Sequence, residues 1–395
     1  MSRLDDLIRL HCPNGVPFMP VGELANYVRG LTYSKTDEAN DGPIQVLRAN
    51  NITLSTNRLN FDDVKAVGGH VRVRDDQRLR RDDILISTAS GSKAHVGKVA
   101  FIESDLDYCF GGFMAVLRSR EQILPRFLFH LLVGRTFSDF LAGTLDSTTI
   151  NNLSSSVMRR FSVPVPPLEV QREIVRILDR FTDLEADLEA ELEAELEARQ
   201  AQYGHTRAQL LFERVDAETV GLGDIATIGT GSHDTKDALD GGDYVFFARG
   251  RETLRLDSFD FDEQAIITAG DGAGVGKVFH FANGKYALHQ RAYRIVPGPD
   301  VNARYLYHFF IADFERYLKQ ISVRGSVTSL RKPMFTNYPI ALPAMDEQER
   351  IAGILDKFDA LINDLSIGLR TELTARRKQY EYYRDKLLTF EEAPA

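Results

Sequence analysis

From Glu169 to about Glu213 the apolar residues Ile174, Ile177, Leu178, Phe181, Leu184, Leu188, Leu192 and Leu196 recur at helical spacing, and no Gly or Pro interrupts before Gly204. At about 1.5 Å per residue such a helix is roughly 65 Å long. A second run, Asp346 to about Phe390, carries Ile351, Ile354, Leu355, Phe358, Leu361, Leu365, Leu369 and Leu373 on the same plan. The leucines from Leu184 to Leu196 stand four apart. Each such step turns about 400°, so the stripe drifts about 40° around the helix and departs from a regular left-handed heptad coil. Two helices with matching stripes are expected to pack as an antiparallel coiled coil about a pseudo-two-fold axis. A solvated, Glu-rich linker is the plain alternative; against it, the leucines recur in register in the second helix, where the Glu-Ala filler does not.

The segments before each helix read differently. Short β-like runs, Ile84–Ile86, Val99–Ile102, Met114–Leu117, Tyr244–Phe247 and Ala265–Thr268, are punctuated by Gly, Asn and Asp. A helical stretch follows in each, near Arg126–Leu141 and Ala303–Ile321. Pro164, Pro166 and Pro167, and then Pro339 and Pro343, cannot lie inside a helix and mark the two domain exits. The expected fold class is α+β: two globular domains (1–165 and 219–342), each followed by a long spacer helix (166–218 and 343–395).

An internal repeat supports that division. Gln171-Arg-Glu-Ile-Val-Arg-Ile-Leu-Asp-Arg-Phe181 returns 177 positions later as Gln348-Glu-Arg-Ile-Ala-Gly-Ile-Leu-Asp-Lys-Phe358. The same offset pairs Pro166 with Pro343, Tyr203 with Tyr380 and Arg207 with Arg384. Val96-Gly-Lys-Val99 recurs as Val275-Gly-Lys-Val278 at a slightly different offset, as loops of unequal length require. Two long copies describe a tandem of domain-plus-helix units rather than a solenoid.

The chain has 395 residues, 43% of them hydrophobic, enough for a core in each half. Only Cys12 and Cys109 are present and the first residues are acidic, so a reducing cytoplasm is the expected location; no apolar stretch approaches the roughly 20 residues of a spanning helix. The net charge of −9 argues at first against a polyanionic partner. Divided by segment it argues less. Residues 1–165 carry 20 Lys+Arg against 18 Asp+Glu and residues 219–342 carry 14 against 14, whereas the first helix segment, 166–218, carries 6 against 14. The acidity belongs to the helices, and near-neutral domains with local basic clusters such as Arg72, Arg74, Arg78, Arg80 and Arg81 permit nucleic-acid binding.

Gly270-Asp-Gly-Ala-Gly-Val-Gly-Lys277 invites comparison with a phosphate loop and fails it: Asp271 stands where the first glycine belongs, and Val278 where the magnesium-binding hydroxyl belongs. The glycines suit a turn that lets backbone approach a partner such as DNA phosphate, with Lys277 beside it; a plain tight turn is the alternative. The first copy offers Lys93, His95 and Lys98 at the corresponding place. The nine histidines are scattered, with no His-Glu-x-x-His and no Cys-x-x-Cys, so no metal site is indicated. Neither a base-methylation motif of the Asn/Asp-Pro-Pro-Tyr type nor Gly-x-Ser-x-Gly occurs, and no catalytic constellation emerges. Two hydroxyl-rich loops occupy equivalent places, one with Thr144, Ser147, Thr148 and Thr149, the other with Arg324, Ser326, Thr328, Ser329, Arg331 and Lys332. Such groups contact phosphates and base edges, although caps and turns use them too. Arg249, Arg251, His289, Gln290 and Arg291 complete the candidate DNA contacts.

Pro166-Pro-Leu-Glu-Val-Gln-Arg-Glu-Ile174 and Pro343-Ala-Met-Asp-Glu-Gln-Glu-Arg-Ile351, each running into Ile-Leu-Asp-x-Phe and a long helix, strongly resemble the specificity subunit of type I restriction-modification enzymes. The resemblance covers nearly the whole chain. It implies a non-catalytic reader of double-stranded DNA, one domain per half of a split target, whose helices separate the domains and dock two modification methyltransferase subunits, with restriction/translocase subunits joining the complex. It implies no cofactor on this chain: S-adenosylmethionine belongs with the methyltransferase subunits, ATP and magnesium with the restriction subunits. The helix and partner contacts are then expected at Ile174, Leu178, Phe181, Leu184, Leu188, Leu192 and Leu196 and at Ile351, Leu355, Phe358, Leu361, Leu365, Leu369 and Leu373. The first domain departs from the pattern, with Gly111-Gly112 near the place of His289-Gln290. The competing class is a coiled-coil scaffold carrying two protein-binding domains, for which apolar and aromatic anchors would be expected in place of the polar loops.

Overall fold

A computed structural model describes residues 3–89, 95–145, 153–213, 217–321 and 329–394. The chain forms two compact units, Met1–Glu189 with Glu372–Ala395, and Ala190–Thr371. Each holds one α+β domain, the first part of the helix that follows it and the last part of the other long helix.

In the first unit the apolar runs Ile84–Ser87 and Met114–Ser119 lie at the centre of an antiparallel sheet, flanked by Ala25–Arg29 and Val99–Phe101. All four residues of Ile84–Ser87 are buried, which is why the run does not alternate. A second sheet joins Lys65–Val67, Ile44–Leu47 and Cys109–Phe110, the last two in parallel. The single helix expected near Arg126–Leu141 is two, Pro125–Val133 and Arg135–Leu145. Gly134 is extended between them and caps the first. Phe127, Leu128, Leu131 and Phe137 share one core with Ile174 and Leu178 of the long helix Leu168–Ala208. The chain's last segment also belongs here: the Val16 N–H donates to the Glu391 carbonyl (2.9 Å) and the Ala393 N–H to the Val16 carbonyl (2.9 Å).

The second unit repeats the plan in one six-stranded sheet, in the order Ala226–Thr230, Ala292–Pro297, Phe261–Ala269, Phe279–Leu288, Tyr244–Phe247, Leu254–Leu256. Tyr244–Phe247 again pairs in parallel with its neighbour Phe279–Leu288. Helix Ala303–Ile321 has the expected bounds and buries Leu306, Phe310 and Phe314 in a core with Ile351 and Leu355 of the long helix Met345–Leu387.

The repeated signature is a double lock between each domain and its helix. Gln171 is buried; its amide donates to the carbonyls of Pro166 (2.8 Å) and Gln122 (3.0 Å), and its oxygen accepts from the Leu124 N–H (2.8 Å). Gln348 does the same with Pro343, Asp300 and Asn302. About two helix turns further, Asp179 accepts from Arg126 Nε and His130 Nε2, both at 2.8 Å, and Asp356 accepts from Arg304 Nε (2.8 Å) and His308 Nε2 (2.7 Å). Burial pushes both histidines below their ordinary pKa despite the carboxylate. Neither buried Nδ1 has a hydrogen-bond partner, which suits a bare ring nitrogen and not an N–H.

Within each unit the helices pair antiparallel. In the first, Phe181 packs on Tyr380 and Tyr383 (both 6.4 Å between centroids), Thr182 meets the Tyr380 hydroxyl (3.2 Å), and Arg377 reaches Glu185 (3.0 Å) and Glu189 (2.9 Å). In the second, Phe358 stacks on Tyr203 (5.6 Å), whose hydroxyl donates to the Leu355 carbonyl (3.4 Å), and Arg207 lies over the Tyr203 ring. The leucine stripe is not one continuous seam. Leu184 and its counterpart Leu361 are 54% and 64% exposed, whereas Leu188, Leu192, Leu196, Leu365, Leu369 and Leu373 are half-buried. The drift of a four-residue spacing, about 40° per step in one direction, accounts for this: the row starts on the open side at Leu184 and Leu361 and turns to a more covered side at the leucines that follow.

Candidate nucleic-acid interface

In the second unit the glycine-rich turn leaves strand Phe261–Ala269 and closes on two other loops. The Gly270 N–H donates to the Arg291 carbonyl (2.8 Å), and the Gly270 carbonyl accepts from the Leu330 N–H (2.7 Å). A Cβ on Gly270 would stand 2.5 Å from the Arg291 carbonyl oxygen, and one on Gly274 2.6 Å from that of Arg249. The glycines therefore serve close backbone approach within the domain.

Asp271 sits at the meeting point. Arg249 donates to its Oδ1 (2.7 Å), Arg291 to its Oδ2 (3.2 Å), and a β-bridge joins it to Ser329. The hydrogen bond from Arg249 holds the Asp271 carboxyl below its ordinary pKa against partial burial. The buried His289 accepts the Arg291 N–H on Nδ1 (2.9 Å); burial, with Arg249 nearby, pushes its pKa down, so the ring orients the loop as a neutral acceptor. Gln290 is exposed and donates to Asp234 (3.1 Å). This surface offers guanidinium and amide donors on loops tied together by backbone hydrogen bonds, the groups that read base edges.

The structure thus brings Arg249, His289, Gln290, Arg291 and Ser329 together around Asp271. Arg251, Lys277, Arg331 and Lys332 are exposed on the same loops or just after them. In the first unit Arg72, Arg74, Arg78 and His95 are exposed, with Arg74 paired to Asp76 (2.9 Å) and Arg78 to Asp107 (2.5 Å). Lys98 is buried, and the Thr144 hydroxyl donates to the Phe140 carbonyl (2.7 Å). Lys93, Ser147, Thr148, Thr149, Arg324, Ser326 and Thr328 lie outside the described residues.

Sequence reasoning missed Asp271 as an organiser, noting it only as the residue that spoils a phosphate loop. It also missed the two Arg-His-Asp locks. Their signal was present: Arg126-x-x-x-His130 and Arg304-x-x-x-His308 repeat at an offset of 178. Among the described residues no group of three His, Cys, Asp or Glu is placed to hold a metal ion, and no helix is long and apolar enough to cross a membrane.

Residues 13–198 and 214–375 each match the type I restriction modification DNA specificity domain. The chain belongs to that family. Its two α+β domains are target-recognition domains of a type I specificity subunit. A putative type I restriction enzyme specificity subunit of Haemophilus influenzae is 30% identical over 75% of this chain and 82% of its own length. The EcoR124I/EcoR124II specificity subunit of Escherichia coli is 32% identical over 64% of this chain and 68% of its own. A solved chain from a study of complex assembly and conformational transition of the type I R-M system covers 95% of this chain and 98% of its own, with a TM-score of 0.71 at 18% identity, a likeness of fold.

Proposed function

We propose that this specificity subunit reads a split double-stranded DNA target, one half per domain, while its long helices set the gap and dock two modification methyltransferase subunits. Restriction/translocase subunits join that assembly. The observation that carries the reading is a contrast between frame and loops: both units keep the same glutamine and Arg-His-Asp locks, yet their loop surfaces carry different side chains. A duplicated frame with two unlike surfaces suits one reader of two different half-sites.

The chain supplies the address and its partners the chemistry, with S-adenosylmethionine on the methyltransferases and ATP and magnesium on the restriction subunits. Leu184 and Leu361, equivalent and uncovered, are suited to receive two equivalent subunits. The acidic first helix implies that partners provide much of the positive charge around DNA, so the isolated chain binds weakly and with modest salt dependence.

The test is a base-resolution map of N6-methyladenine in the native host and in a strain lacking this gene. Loss of methylation at one motif of two short blocks with a fixed gap is the expected result. Unchanged methylation in a host where the wild-type gene is expressed refutes the reading.

A further inference from the structure

The two domains can be superimposed by their hydrogen bonds alone, with no reliance on sequence offset. The His289 N–H donates to the Phe247 carbonyl (3.0 Å) as the Gly111 N–H does to the Leu47 carbonyl (2.9 Å). The Gly270 N–H donates to the Arg291 carbonyl as the Thr88 N–H does to the Phe113 carbonyl, both at 2.8 Å. The Leu330 N–H donates to the Gly270 carbonyl as the Leu153 N–H does to the Thr88 carbonyl, both at 2.7 Å. These pairs make Phe113 the counterpart of Arg291, Ala89 of Asp271 and Ala49 of Arg249. At one topological address the second domain therefore presents two arginines bridged by a carboxylate, and the first presents two alanines and a phenylalanine that is 71% exposed.

Resting on the proposed function, we infer that this address is the base-reading edge of both domains: Arg291 and Arg249, oriented by Asp271, read a guanine in one half-site, and Phe113 reads a thymine methyl in the other. An arginine bidentate to guanine O6 and N7 is the commonest specific contact in the major groove, and an apolar side chain is what recognises the thymine methyl. Asp271 weighs against a phosphate-binding role. A carboxylate with both oxygens committed to guanidinium groups removes one positive charge from the patch and repels a phosphate, but holds each planar fork at a set angle. The rest of the surroundings supports rigidity, since His289 fixes the Arg291 backbone and Gly270 and Gly274 admit the close approach of both arginine-bearing loops. Asp271 is on this account a positioning residue. Phe113 has the opposite logic: an uncovered ring is costly in water and gains from burial against a methyl group.

The experiment expresses the full chain with the modification methyltransferase subunit of the same host in a strain without adenine methylation, and maps methylated sites for wild type, Arg291→Ala, Asp271→Asn and Phe113→Ala. Arg291→Ala and Asp271→Asn are expected to relax the same single G·C pair in one half-site, by about tenfold or more in preference, with the other half and the gap unchanged. Phe113→Ala is expected to relax a T·A pair in the opposite half. An unchanged motif in the arginine and aspartate variants overturns the inference, as does a uniform fall at all sites with the motif intact, which assigns phosphate contacts instead. If Arg291→Ala abolishes methylation, Arg291→Lys decides: it keeps the charge and loses the fork, so relaxation of one pair supports base reading and an intact motif overturns it. Wild type giving no split motif at all is the failure of the functional reading itself.

Discussion

Asp356→Ala removes the acceptor that joins the second domain to its long helix. Arg304 and the fully buried His308 both donate to this carboxylate, and the side chain of Asp356 is itself 38% exposed. Truncating one member of a buried ion pair costs about 3–5 kcal/mol, and losing an exposed pair costs less than about 1 kcal/mol. The partial exposure of Asp356 and the solvent access of Arg304 place this change between them, at about 2–3 kcal/mol. The cost should be local, because Asp179 performs the same task in the other unit with its own arginine and histidine. Amide hydrogen exchange followed by mass spectrometry on the full chain separates the two. Peptides from Ala303–Ile321 should exchange about 30- to 140-fold faster, at about 1.4 kcal/mol per tenfold. Peptides from Pro125–Val133 should keep their wild-type rates. Equal protection of Ala303–Ile321 in variant and wild type refutes the claim that this carboxylate locks the junction; equal acceleration in both units refutes its locality.

Acid should weaken both junctions. Burial keeps His130 and His308 neutral in the fold, with pKa values below the ordinary value of about 6.5, so the unfolded chain binds protons first as pH falls. Stability is then full above about pH 7 and declines below it, by at most about 1.4 kcal/mol per pH unit for each histidine. Burial pushes Asp179 and Asp356 up, but hydrogen bonds from the paired histidine and arginine outweigh it; their folded values are depressed, so their contribution disappears at still lower pH. His308→Gln, which can still donate to Asp356, should flatten the decline between about pH 7 and 5 in denaturant titrations; an unaltered slope counts against the histidine account. Gln171→Leu leaves the Leu124 N–H and the carbonyls of Pro166 and Gln122 without their shared partner and should cost about 2–4 kcal/mol in equilibrium unfolding, with a loss under about 1 kcal/mol contradicting the lock. Deleting Leu188–Glu191 removes about 6 Å of helix and should shorten the gap in the methylated motif by about one base pair or abolish methylation; an unchanged gap would refute the claim that the long helices set it.

The sequence by itself determined the duplicated plan, because a repeat that includes Gln171/Gln348, Asp179/Asp356 and the leucine rows is a property of order along the chain. It determined the strands at Ile84 and Met114 and the helix at Ala303–Ile321, whose burial patterns are local. It also gave the drift of the leucine stripe, which follows from the turn angle alone. What it did not contain was who meets whom across long separations. The parallel pairing of Ile44–Leu47 with Cys109–Phe110, the break at Gly134 and the reach of Gln171 to Gln122 and Leu124 depend on closing loops whose geometry no local pattern encodes. That each long helix ends beside the start of the other follows from the antiparallel pairing the matching stripes predicted; which side chains meet there, Phe181 on Tyr380 and Phe358 on Tyr203, was hidden, since an apolar stripe states that a face is covered and not by which residue. The reading edge shows the same limit. Arg249, Asp271 and Arg291 are separated by 22 and 20 positions and become one device because three loops converge, with glycines letting their backbones touch.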